Sequence, residues 1–280
     1  MKSEFYTRSF YEGLHEGVVQ SAEVIVPLVL QLIPARSVVD IGCGEGAWLA
    51  TFQGMGVDDI LGVDGDYVDR TALKIPQRCF RAADLSIPLA LDRTFDLALS
   101  LEVAEHLPAA SASVFVESLT RLAPAILFSA AIPFQGGTNH VNEQWPEAWA
   151  ELFDARGYAV VDAIRKRVWQ DQRVEWWYAQ NTLLFVRRDL LEQNSRLHAE
   201  FQRSNSTQLS LVHPRKYLGL QAEYNRIPAS GSHPKTHPTS MALFRRLKDL
   251  LRKGFGALGH GHRHSHGNRN DSAKTQGVTP

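Results

Sequence analysis

The 280-residue chain has little cysteine, no net charge and no long apolar segment. Its two cysteines, Cys43 and Cys79, are too few for the disulfide scaffold of small secreted domains. The longest apolar run, residues 24–33, is interrupted by a proline and a glutamine and is shorter than the ~20 residues that span a bilayer. The first residues, M-K-S-E-F-Y-T-R-S-F, lack the apolar segment of a secretory signal. We therefore expect a cytoplasmic protein.

The net charge of zero conceals an uneven distribution of charge. Residues 1–190 contain 16 basic and 25 acidic side chains, whereas residues 191–280 contain 14 basic and 5 acidic ones. Domains that bind nucleic acids usually present a basic surface, so no nucleic-acid partner is expected for the acidic part. The sequence predicts a globular domain at 1–190 and a basic, low-complexity, largely disordered extension at 191–280.

Short apolar runs alternate with amphipathic stretches up to residue 190, which is typical of an α/β fold. The predicted strands are 37–41, 60–63, 78–82, 95–100, 125–131, 159–168 and 181–186. The predicted helices are 15–32, 46–54, 67–73, 110–122 and 146–156, and residues 189–203 are predicted to form one polar helix. The last two strands have no obvious helix between them, so we expect them to pair antiparallel at the edge of a mostly parallel sheet with helices on both faces.

Two features stand out in the extension. Residues 241–256 place apolar side chains on one helical face and basic ones on the other. Such a helix either contacts protein, including the acidic domain itself, or lies peripherally on a membrane at its inner face. Residues 260–266 carry four alternating histidines, which can bind transition metals loosely but are more often a solvated tail. No Cys/His cluster has structural zinc spacing, so no metal centre is expected.

A glycine-rich turn follows the first predicted strand, in the segment V-V-D-I-G-C-G-E-G at 38–46. Gly42 and Gly44 allow a tight turn and a close approach to a ligand, where a Cβ would collide. Asp40, near the end of the strand, can accept hydrogen bonds from the turn or from a cationic ligand. With Ala47 the segment also fits G-x-G-x-x-A, a relaxed dinucleotide fingerprint, so a nicotinamide-dependent oxidoreductase is an alternative.

Acidic residues also follow the next predicted strands. I-L-G-V-D ends at Asp64, which is placed to accept hydrogen bonds from both hydroxyls of a ribose. A-A-D-L places Asp84 before Leu85, so that the carboxylate can bond an exocyclic amine of adenine while the leucine packs on the ring. The fourth strand leads into S-L-E-V-A-E-H-L, which contains Glu102.

Taken together, D-I-G-C-G-E-G, G-V-D-G-D, A-A-D-L and F-D-L-A-L-S-L-E-V-A-E-H-L resemble the class I S-adenosylmethionine-dependent methyltransferases over residues 35–190. The chain is similar to the branch that acts on small molecules, quinones, lipids and sugars. The resemblance implies a Rossmann-like sheet of seven strands with an antiparallel last strand, and S-adenosyl-L-methionine as cofactor. It also implies that the cofactor is bound by Asp40, Gly42, Gly44, Asp64, Asp84, Leu85 and Glu102.

Two histidines are placed to act on an acceptor. A hydroxyl that receives a methyl group must lose its proton, so a base within hydrogen-bond reach assists the reaction. His106 follows the fourth strand, where it can instead be a structural helix-start residue, and His140 lies in the amide- and glycine-rich loop after the fifth strand. Asn139, Glu143 and Trp145 of that loop are predicted to contact substrate, with capping of the next helix as the alternative for Glu143.

The sequence therefore favours an S-adenosylmethionine-dependent methyltransferase that O-methylates a small-molecule or glycan-like acceptor. No N-P-P-Y-type segment follows the fourth strand, which weakens the case for N-methylation. The oxidoreductase alternative lacks a later dehydrogenase-like catalytic pair. A third alternative is a non-catalytic module with a degenerate pocket, which the intact Gly42, Gly44, Asp64 and Asp84 disfavour.

Overall fold

The computed structural model describes the backbone of residues 8–226 and most side chains from residue 16 onward. Within this range one sheet has the strand order β3-β2-β1-β4-β5-β7-β6. Its strands are β1 Ser37–Ile41, β2 Asp59–Asp64, β3 Phe80–Ala82, β4 Leu97–Leu101, β5 Ala125–Ser129, β6 Tyr158–Val161 and β7 Leu183–Arg187. Strand β7 pairs antiparallel with both β5 and β6, and the other pairs are parallel. The predicted seven-stranded, mostly parallel sheet is confirmed.

Helices cover both faces of this sheet, as predicted. They are α1 Arg8–Leu32, α2 Ala47–Gly54, α3 Ala112–Leu122, α4 Pro146–Asp154, α5 Arg165–Val168, α6 Trp176–Asn181, α7 Arg188–Gln193, α8 Ser195–Gln202 and α9 Pro214–Arg226. Because successive side chains of a strand point to opposite faces, β1 contributes to two cores. Val38 belongs to the buried cluster that contains Val26 of α1, whereas Val39 belongs to the cluster that contains Phe115 of α3.

The strand order places a crevice at one edge of the sheet. From β1 the chain moves outward to β2 and β3, and it then returns to β4 on the opposite side of β1. The order therefore reverses between β1 and β4, which are parallel. Ligands of open α/β sheets bind at such a reversal, beyond the carboxyl ends of the strands.

The predicted helix at 67–73 is wrong, since this segment forms turns. Local side-chain bonds hold it in another shape, because the Asp69 carboxylate accepts hydrogen bonds from both the N–H and the hydroxyl of Thr71. The Tyr67 hydroxyl donates to Asp64 at 2.5 Å. Such bonds give the backbone an alternative to a helix.

Two further element predictions need correction. The predicted strand 159–168 ends at Val161, and α5 follows because the buried Arg165 guanidinium bonds Asp162 and two backbone carbonyls. The single helix predicted at 189–203 is divided at Asn194. The Asn194 side chain accepts hydrogen bonds from the N–H groups of residues 196 and 197, which makes it the N-cap of α8.

Residues beyond 190 complete the domain. Leu191 and Leu197 join the core cluster on one face of the sheet, and the fully buried Leu209 joins the cluster on the other. The compact unit therefore extends past the predicted boundary to Arg226. The amphipathic segment 241–256 and the histidine tract 260–266 lie outside the described residues. Among the helices that the structure describes, none is long and apolar enough to cross a membrane.

Candidate active site

A cavity of about 420 Å³ lies at the carboxyl ends of the central strands, where the strand order reverses. Its volume falls in the range of small-molecule binding sites. It brings together eight residues that the sequence predicts for the site: Asp40, Gly42, Gly44, Asp64, Leu85, Glu102, His106 and His140. The topology thus gathers side chains that are up to 100 positions apart in the chain.

The predicted glycine-rich turn has a left-handed backbone. Gly42 has a φ of 93° and Gly44 a φ of 52°. A Cβ on Gly42 would lie 2.3 Å from the Val103 side chain, so packing against the segment after β4 also requires glycine here. The Gly44 N–H donates to the Asp64 carboxylate at 2.7 Å, and this bond ties the turn to the end of β2.

Two buried carboxyl groups face the cavity behind this turn. Asp40 is 2% exposed, and burial, followed by the charge of Asp64, raises its pKa to about 7. Burial also raises the pKa of Asp64, although hydrogen bonds from Tyr67, Gly44 and Gly65 lower it. A ligand that brings hydroxyl donors or positive charge would stabilise the ionised form of both carboxyl groups.

Of the two residues predicted to bind adenine, one lines the cavity and the other lies at the protein surface. Leu85 is buried and lines the cavity. Asp84 is exposed and is not among the lining residues, because its carboxylate accepts hydrogen bonds from the N–H and the hydroxyl of Ser86. These bonds hold the pKa of Asp84 below its usual value.

Glu102 lines the cavity in a strained and strongly hydrogen-bonded position. Its φ of 55° is uncommon for a residue with a Cβ and is often found at functional sites. Its carboxylate accepts hydrogen bonds from Gln135 at 2.9 Å and Asn181 at 3.1 Å. Burial nevertheless raises the pKa of Glu102.

Glu105, to which the sequence assigns no role, is a completely buried carboxyl group in the cavity wall. One oxygen, Oε1, accepts a hydrogen bond from the N–H of Ala131 at 3.2 Å. The other, Oε2, accepts no hydrogen bond from an N–H or hydroxyl donor among the described residues, and the Glu102 carboxyl lies within hydrogen-bond reach of the Glu105 carboxyl. Burial, followed by the charge of Glu102, raises the pKa of Glu105 well above its usual value.

The two predicted catalytic histidines lie side by side. The His106 and His140 rings meet edge-on, with centroids 4.8 Å apart. Burial and then the charge of His140 lower the pKa of His106 to about 4, against the opposing effect of the carbonyls of Asn139 and Thr138. His106 is therefore neutral near pH 7, and a neutral imidazole can bind a cation.

The loop that carries His140 is organised by Glu143. This carboxylate contacts Nδ1 of His140 at 3.0 Å and accepts hydrogen bonds from the N–H groups of Phe134 and Gly136. Glu143 is not among the cavity-lining residues, so it positions the loop through contacts made outside the cavity. The alternative that Glu143 caps α4 is wrong, since Trp145 is the N-cap and the described structure shows no side-chain bond there.

The other two predicted substrate residues lie away from the cavity lining. Trp145 is 42% exposed at the start of α4, and Asn139 is half-buried with a φ of 58°. Three aromatic residues are absent from the residues that the sequence predicts for the site. Helix α6 contributes all three to the cavity wall: Trp176, Trp177 and Tyr178. The run W-W-Y was the available signal.

Residues beyond the predicted boundary also support the cavity. Gln180 donates to the Gln135 side chain at 3.1 Å and accepts from the N–H of His213 at 2.8 Å. Lys216 donates to the backbone carbonyl of Gln135. The segment after α8 therefore holds the loop after β5 in place.

Comparison with known proteins identifies this architecture. A family model described as a methyltransferase domain matches residues 20–181, more than half of the chain. The chain belongs to this methyltransferase family. Membership confirms the prediction of a class I methyltransferase, an enzyme class that uses S-adenosylmethionine as methyl donor. No curated protein matches the chain significantly.

The chain is also similar to several solved structures. A sugar N-methyltransferase, KedS8 from Streptoalloteichus, is 18% identical over 64% of this chain and 91% of its own, with a TM-score of 0.49. DesVI from Streptomyces venezuelae is 16% identical over 64% of this chain and 95% of its own, with a TM-score of 0.48. The methyltransferase domain of bacterial CtHen1 is 22% identical over 60% of this chain and 98% of its own, with a TM-score of 0.44.

Proposed function

We propose that this methyltransferase transfers the methyl group of S-adenosylmethionine to a hydroxyl oxygen of a small-molecule or glycan-like acceptor. The observation that carries the proposal is the pair His140–Glu143, whose histidine lines the same cavity as Asp40 and Asp64. The cavity wall therefore contains both the groups that suit the cofactor and a base that suits an oxygen nucleophile.

The residues present fit the cofactor. Asp64 is held by Gly44 at the end of β2, where it can accept hydrogen bonds from ribose hydroxyls. Asp40 supplies a buried carboxyl group, and the cationic amino group of the cofactor would stabilise its ionised form. Leu85 offers an apolar surface to the adenine ring of the cofactor. When bound, the sulfonium supplies an electrophilic methyl group and a neutral thioether leaving group, so the protein needs no acid there.

His140 is oriented to take the acceptor proton. Its Nδ1 faces the Glu143 carboxylate at 3.0 Å, and a proton on Nδ1 leaves Nε2 as an acceptor. Phe134 and Gly136 hold Glu143 through their N–H groups, so the ring orientation is fixed from behind. An imidazole held by a carboxylate in this way is suited to general base catalysis.

The wall of the cavity supports a polar, ring-shaped acceptor. Trp176 and Trp177 offer flat apolar surfaces, whereas Glu102 and Gln135 offer hydrogen-bonding groups in the same cavity. Sites of this kind combine apolar contact area with a few polar groups that fix orientation. The expected O-methylated product is therefore a small hydroxylated molecule or a sugar unit of a glycan.

Cofactor binding and product identification test the proposal in two steps. Calorimetry should show binding of S-adenosylhomocysteine and none of NAD, and binding of NAD alone would favour the oxidoreductase alternative. Mass spectrometry of a glycan and small-molecule extract, treated with enzyme and methyl-labelled cofactor, should then find an O-methylated product. A product labelled only at nitrogen would contradict the proposed acceptor atom.

A cytoplasmic location and a peripheral membrane or protein contact through residues 241–256 are further parts of this proposal. The apolar and basic faces that a helix would have in that segment support the membrane or protein contact. Flotation with anionic liposomes, compared between the full chain and a chain that lacks residues 241–256, tests the membrane contact. Equal flotation of the two chains would exclude it.

A further inference from the structure

Three side chains in the cavity wall bring metal-ligating atoms together. One atom each from Glu105, His106 and His140 lies within 4.8 Å of the other two. All three residues line the cavity that holds the cofactor groups. Two imidazoles and one carboxylate are a donor set that proteins use for divalent transition metals with open coordination positions.

The Glu105 carboxyl supplies a second, independent indication of a ligand. It is 0% exposed, and its Oε2 accepts no hydrogen bond from an N–H or hydroxyl donor among the described residues. A second buried carboxyl, that of Glu102, lies within hydrogen-bond reach of it. Two buried carboxyl groups in contact cannot both be ionised without a compensating positive charge, because neither water nor enough donors offset their desolvation. A cation at Oε2 would supply that charge.

Backbone bonds fix the three side chains relative to one another. The N–H groups of Val141 and Asn142 donate to the backbone carbonyl of Glu105 at 2.9 and 3.0 Å. The Asn142 side chain adds a bond to the carbonyl of Ala104 at 3.2 Å. The segment that carries His140 is therefore attached directly to the turn that carries Glu105 and His106, which pre-organises the donor atoms.

Glu143 completes the arrangement around His140. Metal-ligating histidines usually donate their second ring N–H to a carboxylate or carbonyl, which fixes the ring and its tautomer. The Glu143 carboxylate has this relation to Nδ1 of His140, at 3.0 Å. Nε2 is then the nitrogen available to a cation.

We propose that Glu105, His106 and His140 bind one divalent first-row transition cation, with an open position for the acceptor hydroxyl. This differs from the absence of a metal centre that the sequence predicts. The acceptor's part in the inference rests on the proposed O-methylation, whereas cation binding does not. A hydroxyl on the cation loses its proton more readily. The proton passes to water, and the oxygen forms the new C–O bond as the S–CH₃ bond breaks. In this cation-bound form His140 is a ligand, so direct proton transfer to His140, as proposed above, is confined to the cation-free enzyme.

Cation binding is best measured with the full chain after removal of its competing histidines. The parent for this experiment carries His260→Asn, His262→Asn, His264→Asn and His266→Asn, because the tract at 260–266 can bind metals loosely. Titration with Co²⁺ should give one bound ion per chain by calorimetry, together with visible d–d absorption bands. The absorption reports coordination in the folded parent, so this result does not depend on a variant.

Single substitutions then locate the ion. Glu105→Gln and His106→Asn should each weaken Co²⁺ binding at least tenfold, and Glu143→Gln should weaken it about 10–100-fold by freeing the His140 ring. His198→Asn is the matched control, since this histidine is exposed on α8, and it should leave binding unchanged. A parent that binds no Co²⁺, or cluster variants that bind it as tightly as the parent, would overturn the proposal.

Two measurements separate this inference from the proposed function. Binding of S-adenosylhomocysteine to chelator-treated protein tests the methyltransferase site alone, and its failure would leave Co²⁺ binding unaffected. Turnover after complete metal removal tests the role of the ion. Full turnover without metal would show that the ion does not deprotonate the acceptor and would leave His140 as the base. Loss of turnover on metal removal, followed by its recovery on addition of Co²⁺, supports the role of the ion in deprotonation.

Discussion

Asp40 should make the ligand-free protein less stable as the pH rises. Burial raises its pKa from 3.8 to about 7, so between these values the folded state holds a proton that the unfolded chain has lost. Because the folded state then binds more protons, the free energy of unfolding falls with increasing pH. At about 1.4 kcal/mol per pKa unit, the loss attributable to Asp40 between about pH 5 and about pH 8 is roughly 2–3 kcal/mol.

The substitution Asp40→Asn removes the titrating carboxyl group. The difference in the free energy of unfolding between the variant and the parent therefore reports the contribution of Asp40 at each pH. Urea unfolding of the variant and the parent at both pH values should show the variant gaining roughly 2–3 kcal/mol relative to the parent at the higher pH. Asp92→Asn is the control, because Asp92 is exposed and its replacement should give the same small difference at both pH values. A difference between Asp40→Asn and the parent that is independent of pH would refute the reasoning, since Asp40 would then be ionised in the folded state throughout.

Three further outcomes are expected from single substitutions. Asp64→Ala should weaken S-adenosylhomocysteine binding about 10–100-fold by calorimetry, because a buried charged acceptor is lost, and unchanged affinity would contradict the ribose assignment. His140→Ala should lower kcat about 10²–10⁴-fold at unchanged cofactor affinity, and a normal kcat would exclude a role in deprotonation. Leu197→Ala should lower the free energy of unfolding by about 2–5 kcal/mol, because this side chain of α8 is fully buried. The control Leu218→Ala should change it little, because Leu218 is exposed. Equal effects of the two substitutions would argue against α8 as part of the domain.

The sheet was predictable because its strands are short, largely apolar runs, of which the first leads into a glycine and the second ends at an aspartate. The predicted bounds of β1 agree with the structure, Ser37–Ile41, since this strand is buried on both faces and leads directly into the glycine turn. The predictions that failed depend on particular side-chain bonds. Thr71 bonds Asp69 where a helix was predicted, and Arg165 bonds carbonyls from two distant segments where a strand was predicted to continue.

The acids at the strand ends of the cavity were more predictable than the cluster around the loop after β5. Asp40 and Asp64 lie at the ends of neighbouring parallel strands, and parallel strands end at the same edge of a sheet. By contrast, the sequence assigns no role to Glu105, although the pattern E-V-A-E-H-L contains it. Bonds from the N–H groups of Val141 and Asn142 to its backbone carbonyl, which are long-range contacts, bring His140 next to it.

By itself, the sequence determined the class of fold, the methyltransferase family and several residues of the cavity wall. Each of these depends on local features, namely the period of apolar residues, the glycines that allow a left-handed turn and the acids at strand ends. Tertiary structure alone decided the end of the domain at Arg226 and the cluster of Glu105, His106 and His140. These two features depend on contacts between residues far apart in the chain, and no local pattern records such contacts.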